Sequence, residues 1–251
     1  MLSFPVPAFF SSYWNNSFHL KHHLQTFLNL DPDLLQANIL AGQQKMSDLG
    51  QNNFQWETVT EFYNNQVGNN YLFDLASFHL GSQDYIQDTL CLIADQADGK
   101  VLDFGGGLGT HAIAAAFCPK VTQVIYCDIN PIHCEFVKYR AKKLGLEDKI
   151  ICSLQFPTTE NFDTILCFDV LEHLPDPIQQ LLDFYHVLSS NGKLIVNWYF
   201  SQGLNNEFPF HIEDPQVVEK FFRTIQRYYL EVFHPYLITA RCYRKLLEPT
   251  V

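Results

Sequence analysis

Residues Lys100 to Phe117 read KVLDFGGGLGTHAIAAAF and give the strongest indication of the fold. An apolar run ends at Asp103, glycine fills four of the five positions 105–109, and an alanine-rich run follows. This pattern is typical of a strand that passes through a tight turn directly into a helix. Such a turn leaves backbone N–H groups unpaired beside the positive end of the helix dipole, so it favours an anionic group of a ligand.

Short apolar runs alternate with helical patterns from residue 100 onward. The first five runs are Val101–Phe104, Val124–Cys127, Ile150–Cys152, Thr164–Phe168 and Lys193–Tyr199. This alternation predicts βαβ units and therefore a parallel sheet. The last two runs, Tyr228–His234 and Leu237–Tyr243, are separated by only two residues, which favours an antiparallel pair. We therefore expect a mostly parallel sheet that is finished by an antiparallel strand.

Two helices of this half have recognisable ends. Asn130 is a good N-cap, Pro131 suits the first helical position, and Gly145 is a good terminator. The helix after the fourth run has an apolar stripe that begins at Ile178, and we expect it to end at Asn191-Gly192.

The chain changes character near residue 98. Before that point it is rich in Asn, Gln, His and aromatic residues, and it carries helical patterns. The expected helices are Phe18–Leu30, Leu34–Leu49, Trp56–Phe62, Tyr71–Leu80 and one that starts at Ser82. We interpret residues 1–82 as a helical cap that forms a substrate lid, and residues 83–251 as the ligand-binding domain.

Composition narrows the class of protein. The 251 residues are 47% hydrophobic and carry a net charge of −11, and no basic run exists that could neutralise a phosphate backbone. A nucleic-acid partner is therefore disfavoured. The seven cysteines are scattered without a C-x-x-C pair, which predicts a reducing, cytoplasmic location without structural zinc. The apolar N-terminus, residues 1–14, contains two prolines and no preceding positively charged region, so we expect no signal peptide. No run reaches the roughly 18 apolar residues of a membrane span, so we expect no stable membrane insertion.

Asp103 decides which ligand the glycine turn suits. The sequence Gly107–Ala112 also satisfies the dinucleotide pattern G-x-G-x-x-A, and Asp128 could hold a ribose diol in either case. A carboxylate at the mouth of the turn would repel a pyrophosphate, but it can pair with an α-amino group while the turn N–H groups meet a carboxylate. The ligand is then zwitterionic at this end.

Two segments resemble a known family. The run Asp103–Thr110 resembles the D-x-G-x-G-x-G motif of class I S-adenosylmethionine-dependent methyltransferases, and Asp128 matches the acidic ribose ligand of that family. Residues 161–177, NFDTILCFDVLEHLPDP, resemble the fourth motif of its small-molecule members, including the ubiquinone/menaquinone-type methyltransferases. The resemblance covers roughly residues 85–200. It implies an α/β, Rossmann-like, doubly wound and mostly parallel seven-stranded sheet with a final antiparallel strand, preceded here by the N-terminal helical cap.

The same resemblance implies S-adenosyl-L-methionine as the cofactor and assigns its ligands residue by residue. The implied cofactor-binding residues are Asp103, Gly105, Gly107, Gly109, Asp128, Ile129, Ser153, Asp169 and Val170. Asp103 and the three glycines would face the methionine end, Ile129 the adenine, and Asp169 and Val170 the sulfonium. Many members carry, at the position of Ser153, an acidic residue that contacts the adenine amino group. Here Ser153 or a backbone group would make that contact instead.

The chemistry of methyl transfer needs few protein groups, because the sulfonium donor is already activated and catalysis consists largely of positioning. Glu172 and His173 follow the fourth strand and are candidate catalytic groups, as is His211 after the fifth. Tyr63, Tyr71 and His79 are candidate substrate-binding residues of the lid. No metal is predicted, although an E-H pair with a nearby acid resembles a divalent-metal site in some quinone-pathway relatives, so metal assistance at Glu172 and His173 stays open.

The expected function is methyl transfer to an oxygen, nitrogen or carbon atom of a small-molecule metabolite. The alternatives are an NAD(P)-dependent oxidoreductase, which Asp103 disfavours, and a non-catalytic cofactor-binding interaction protein. The expected partner is the small-molecule acceptor, and a homodimer is left open. The acceptor itself cannot be read from the cap, which offers aromatic, amide and histidine side chains without a diagnostic motif.

Overall fold

A computed structural model describes residues 7–236 and 239–249 and contains one seven-stranded sheet in the order β3-β2-β1-β4-β5-β7-β6. The strands are β1 (Gly99–Phe104), β2 (Val121–Cys127), β3 (Ile150–Ser153), β4 (Phe162–Cys167), β5 (Leu188–Val196), β6 (Tyr229–Val232) and β7 (Arg241–Lys245). Strands β1 to β5 pair in parallel, and β7 is antiparallel to both β5 and β6. The predicted fold class is therefore confirmed.

Helices cover both faces of this sheet. The α-helices of the described residues are α1 (Ser11–Asn16), α2 (Leu20–Leu28), α3 (Pro32–Asn53), α4 (Val59–Glu61), α5 (Gly68–Gly81), α6 (Gln83–Gln96), α7 (Thr110–Phe117), α8 (Pro131–Leu144), α9 (Pro177–Val187) and α10 (Pro215–Tyr228). Side chains alternate along each strand, so Val101 packs with α6, α7 and α8 while Leu102 packs with α9 and α10. Burial on both faces explains why the strand segments are almost continuously apolar instead of alternating apolar and polar residues.

The N-cap and terminator signals of α8 are confirmed. The Asn130 side chain accepts hydrogen bonds from the N–H groups of Ile132 and His133, and Gly145 ends the helix with φ +67°. The predicted end of α9 at Asn191-Gly192 is wrong, because the helix ends at Val187. Four residues of β5, at positions 189–192, instead lie opposite the single residue Asp163 of β4 between the Phe162–Leu188 and Thr164–Lys193 pairs, so Asn191 and Gly192 belong to a bulge within the strand.

The predicted final strand pair exists with different ends. The connection between β6 and β7 runs from Phe233 to Ala240 and is longer than the two residues expected. Positions 237 and 238 of the predicted strand lie outside the described residues, and β7 begins only at Arg241. Strand β5 likewise ends at Val196, three residues before its predicted end.

The N-terminal helices contribute to two smaller cores beside the sheet. Helices α2, α3 and α5 share one of them with Leu108 and Phe136, and Gly42 allows α3 to approach α5 closely, since a Cβ there would lie 2.6 Å from the carbonyl carbon of Phe73. The predicted helix Trp56–Phe62 is instead a 3₁₀ turn, the short α4 and a π-helix, Phe62–Gln66. Phe10, Tyr13 and Phe18 pack into the sheet core, and the domain boundary after residue 82 stays a prediction.

Across residues 7–236 and 239–249, none of the helices combines the length and the apolar character needed to cross a membrane.

Candidate active site

A cavity of about 230 Å³ opens where β1, β2 and β4 end. Its walls are the glycine turn, the residues after β2 and β4, and one face of α5 from the cap. The α5 residues that line it are Tyr71, Leu75, Phe78 and His79, at positions i, i+4, i+7 and i+8, which share one face of a helix. The carboxyl ends of parallel strands are where open α/β sheets bind ligands, so this cavity is the candidate active site.

The glycine turn brings bare backbone to the cavity. Gly105 and Gly107 have φ +68° and +49°, a region that other residues rarely adopt. A Cβ on Gly106 would lie 2.5 Å from Oδ2 of Asp103 and 2.6 Å from the Tyr126 ring. Side chains are therefore excluded from this turn, and a ligand can contact its main chain.

Asp103 places a carboxyl group in the cavity wall. The residue is 1% exposed, and its Oδ2 finds no hydrogen-bond partner within the part of the chain that the structure describes. Burial raises the pKa of Asp103 to about 7; a hydrogen bond with the Ala112 backbone opposes this shift, and the charge of Asp128 adds to it. A bound cation would satisfy Oδ2 and stabilise the charged form.

Asp128 is fixed by a set of donors at the end of β2. Its Oδ2 accepts from the Gly107 N–H at 3.0 Å and the Tyr126 hydroxyl at 3.2 Å, and it lies 3.2 Å from Nδ1 of His133. Its Oδ1 accepts from the Asn130 N–H at 2.8 Å. The carboxylate thus holds the glycine turn in place, while the remaining acceptor capacity of Oδ1 can serve ligand hydroxyls.

The turn after β4 is held in a strained conformation. Asp169 has φ +54°, and the Asn197 side chain accepts from its N–H and donates to its Oδ1, both at 2.6 Å. Burial raises the pKa of Asp169 to about 6. Val170 packs on Gly105, and Ile129, 43% exposed, forms part of the opposite wall.

A second group of polar residues meets the cap. The Tyr63 hydroxyl lies 3.1 Å from Nδ1 of His173, and both residues line the cavity. Burial raises the pKa of Tyr63 and lowers that of His173 well below the usual value, to which the charge of His211 contributes. We therefore assign Tyr63 as the donor and His173 as a neutral acceptor at Nδ1. Tyr63 belongs to the π-helix, a feature that is frequent at functional sites.

Glu172 lies behind His173. Its Oε1 accepts from the Tyr199 N–H at 3.0 Å, whereas Oε2 is buried without a partner among the described residues. Burial and then Asp169 raise the pKa of Glu172 to about 8. Ligand-type atoms of Glu172, His173 and His211 lie within 4.8 Å of one another, a grouping that could hold a metal ion.

The structure brings most of the predicted site residues together around one cavity. Those that line it are Asp103, Gly105, Gly107, Asp128, Ile129, Asp169, Val170, His173, Tyr63, Tyr71 and His79. Four predicted residues do not line it. Gly109 packs against Val137 at the start of α7, Ser153 forms a turn with Gln155, Glu172 is buried behind the wall, and His211 lines a neighbouring cavity.

The sequence interpretation missed several residues that shape the site. Tyr126 and His133 fix Asp128, Asn197 fixes Asp169, and His111 lines the cavity. One of them carried a readable signal. His133 is the third residue of a helix whose N-cap is Asn130, and a side chain at that position can reach back toward the residues before the helix.

Comparisons with known proteins agree with this architecture. Residues 102–194 match the family model described as a methyltransferase domain. A mitochondrial ubiquinone biosynthesis O-methyltransferase from Candida albicans is 33% identical over 121 residues, 46% of this chain and 36% of that protein. A ubiquinone biosynthesis O-methyltransferase from Xanthomonas oryzae pv. oryzae is 32% identical over 124 residues, 45% of this chain and 47% of that protein.

One solved structure shares this fold over most of both chains. It is the geranyl diphosphate C-methyltransferase from Streptomyces coelicolor A3(2), in complex with Mg²⁺, geranyl diphosphate and S-adenosyl-L-homocysteine. The TM-score is 0.54 at 14% identity, over 76% of this chain and 98% of that one. The family model and the two curated relatives confirm the methyltransferase resemblance of the core, and the solved structure shows the shared fold. The alignments span less than half the length of the two curated relatives, and a mitochondrial relative leaves the cytoplasmic location a prediction.

Proposed function

We propose that this chain, whose core is a class I methyltransferase domain, transfers a methyl group from S-adenosyl-L-methionine to an oxygen, nitrogen or carbon atom of a small molecule. The observation that carries the proposal is the buried Oδ2 of Asp103, which faces a glycine turn closed to side chains. A buried acceptor without a protein partner costs free energy unless a ligand supplies a donor. The ammonium group of an amino acid is such a donor, whereas a pyrophosphate is not.

The donor end of the cavity is formed by Asp103, the glycine turn and the residues that follow β2. Each of these would contact a different group of the cofactor. Asp103 would accept from the ammonium, Oδ1 of Asp128 from the ribose hydroxyls, and the Ile129 side chain would cover the adenine. When bound, the cofactor supplies a methyl group already activated by its positive sulfur. The protein then has to hold the donor, place the acceptor in line and exclude water, and carboxyl groups such as Asp169 stabilise positive charge nearby.

The acceptor end of the cavity, formed around Tyr63 and His173, would orient the acceptor molecule. Tyr63 from the cap and His173 from the core both line the cavity and are joined by their hydrogen bond. A neutral imidazole with a lowered pKa is a weak base, so we assign His173 to orienting the acceptor with Tyr63 rather than to removing a proton outright. Glu172 and His211 support His173 from behind, and Tyr71 completes the aromatic wall.

A titration with two classes of cofactor tests the proposal. Isothermal calorimetry of the full chain should show binding of S-adenosylhomocysteine and no binding of NAD⁺ or NADP⁺. The reverse pattern would establish the oxidoreductase alternative instead. Transfer of label from methyl-labelled cofactor to metabolites of a cell extract should then be observed. Binding of S-adenosylhomocysteine with no labelled small-molecule product would support the non-catalytic alternative.

A further inference from the structure

We propose that the acceptor enters the cavity as a neutral or positively charged molecule and that anions, such as phosphates, sulfates and carboxylates, are rejected. This inference rests on the proposed function, because it assigns a charge class to the small molecule that receives the methyl group. The charges of the cavity and of the segments around it carry the inference.

The segments around the acceptor end contain no basic side chain. The sequence has no Lys or Arg between Lys45 and Lys100, between Lys149 and Lys193, or between Lys193 and Lys220. The first interval includes the cap residues that line the cavity, the second includes the turn after β4, and the third includes the loop after β5. None of these elements can therefore offer an ammonium or a guanidinium group to an anionic acceptor.

Four lysines lie instead at the opposite edge of the sheet. Lys100 is the second residue of β1, and Lys120 and Lys149 directly precede β2 and β3. Lys193 pairs with Thr164 near the start of β4. The amino ends of parallel strands share one edge, and the cavity opens at the other edge, where β1, β2 and β4 end. These positive charges are therefore separated from the cavity by the length of the strands.

Arg140 lies close to the glycine turn but is occupied by the protein itself. It is fully buried, and its guanidinium donates to the carbonyls of Leu108, Ser17 and Phe18. Within residues 7–236 and 239–249, no Lys or Arg side chain lines the cavity, and the other positions of the chain contain neither residue. An anionic acceptor would therefore find no ion-pair partner in the cavity wall.

The three histidines of the cavity wall do not replace the missing cations. Burial is the main cause that lowers the pKa of each, to about 3 for His79 and well below the usual value for His111 and His173. Neutral imidazoles can exchange hydrogen bonds with a ligand, but they supply no positive charge at neutral pH.

Carboxyl groups determine the charge of the cavity wall. Asp103, Asp128 and Asp169 line the cavity, and Glu172 is buried behind it. Burial is the main cause of the raised pKa of Asp103 and Glu172, and repulsion from Asp128 and Asp169, respectively, adds to it. A negatively charged ligand would increase this repulsion.

The helix amino termini at this edge of the sheet offer little to a second anion. Helices α8, α9 and α10 are capped by the side chains of Asn130, Asp176 and Asp214, which accept from backbone N–H groups. Two of these caps are carboxylates, which repel a ligand anion. Helix α7 has no side-chain cap, and its N–H groups beside the glycine turn would be taken by the carboxylate of the donor.

The remaining wall at the acceptor end is uncharged. Val59, Leu174 and Pro175 contribute apolar surface, and Tyr63 and Tyr71 contribute hydroxyl groups. Burial raises the pKa of both tyrosines, so the hydroxyls stay protonated. A bound donor adds no free cation, because its ammonium and sulfonium would lie beside carboxyl groups. An anionic acceptor would therefore lose hydration without gaining an ion pair.

Label transfer to metabolites that have been sorted by charge tests this inference. The small molecules of a cell extract are first passed through an anion exchanger at pH 7.5, which retains those with net negative charge. The full chain and methyl-labelled S-adenosyl-L-methionine are then added to each pool separately. We expect the unretained pool to receive at least about tenfold more label, because like charges at close range disfavour binding. Sorting before the reaction ensures that a methylated carboxylate is still counted as an anionic acceptor.

A charge placed at the acceptor end sharpens the test. Thr60 is exposed and lines the cavity, so Thr60→Lys adds an ammonium group without disturbing a buried contact. The share of label that the retained pool receives should rise about threefold, since an exposed charge is partly screened by solvent. The matched control Thr60→Gln adds length and polarity without charge, and it should leave that share unchanged.

The outcomes distinguish this inference from the proposed function. Equal labelling of the two pools, or more label in the retained pool, would overturn the inference while methyl transfer itself stood. An unaltered share in a folded Thr60→Lys variant would overturn it as well, because charge would then not select the acceptor. Absence of label from both pools would instead contradict the proposed function. The comparison of the two pools uses the unaltered chain and does not depend on the variants folding.

Discussion

The two ends of the cavity are built in different ways. The donor end comes from residues that lie at the ends of neighbouring strands, and Asp103, the glycine turn and Asp128 fall within 26 residues of sequence. The acceptor end joins Tyr63 of the cap, Glu172 and His173 after β4, and His211 after β5. The donor end is therefore fixed by local sequence and one sheet edge, whereas the acceptor end depends on how the cap and a long loop settle on the core.

This difference explains why the sequence predicts a donor and leaves the acceptor open. A strand, a glycine turn and a helix impose one backbone geometry, so residue types at fixed spacing identify the group that the turn binds. The acceptor end has no such repeat, since its contacts join residues 110 positions apart in the chain. A change at the donor end should therefore alter the affinity for the cofactor, whereas a change at the acceptor end should alter turnover.

The largest effect is expected at the donor end. Asp103→Ala should weaken binding of S-adenosylhomocysteine by about 3–5 kcal/mol, the cost of leaving one partner of a buried ion pair uncompensated. Calorimetry measures this directly, and thermal unfolding without ligand shows whether the variant is folded. A folded Asp103→Ala variant with unaltered affinity would remove Asp103 from the donor site.

A change at the acceptor end should have the opposite signature. His173→Ala removes the imidazole that meets Tyr63, and misplacing the acceptor should lower turnover about ten- to hundredfold. The affinity for S-adenosylhomocysteine should stay within about twofold, because the cofactor contacts proposed here do not include His173. Equal losses in turnover and cofactor affinity would show that the two ends are not separable.

The pH dependence of donor binding probes Asp103 without a mutation. Its pKa of about 7 in the ligand-free protein means that the carboxyl is mostly protonated at pH 6, and a bound ammonium lowers that pKa. Binding therefore releases a proton at low pH, and the affinity for S-adenosylhomocysteine should fall about eightfold from pH 7.5 to pH 6. Calorimetry at both pH values should show no such trend for 5′-methylthioadenosine, which lacks the amino acid. Parallel trends for both ligands would point to another group.

The smallest loss of cofactor affinity is expected for His133, which would act only by positioning Asp128. His133→Leu removes the ring that lies against Asp128, and the affinity for S-adenosylhomocysteine should fall by about 1 kcal/mol, the value of one hydrogen bond. Asp128→Ala should cost more, about 1–3 kcal/mol, since the cofactor contact itself is lost. A larger loss in His133→Leu than in Asp128→Ala would contradict this order.

Much of the fold and about half of the site follow from sequence for physical reasons. The strands, the glycine turn and the caps of α8 can be predicted because each follows from a local sequence pattern. In the strands, that pattern reflects the burial of alternate side chains on the two faces of the sheet. The predicted end of α9 is wrong because the pair Asn191-Gly192 suits a strand bulge as well as a helix terminus. Asn197 could not be assigned because its hydrogen bonds with Asp169 join the ends of two strands, β4 and β5, across 28 positions of sequence.

A crystal structure with S-adenosylhomocysteine would show directly whether the glycine turn and Asp103 hold the donor. We expect the ligand ammonium about 3 Å from Oδ2 of Asp103, with the ribose hydroxyls at Asp128 and the thioether sulfur facing Asp169 and Val170. The claim would be contradicted by a ligand seated elsewhere on the sheet, or by one whose amino-acid end points away from Asp103.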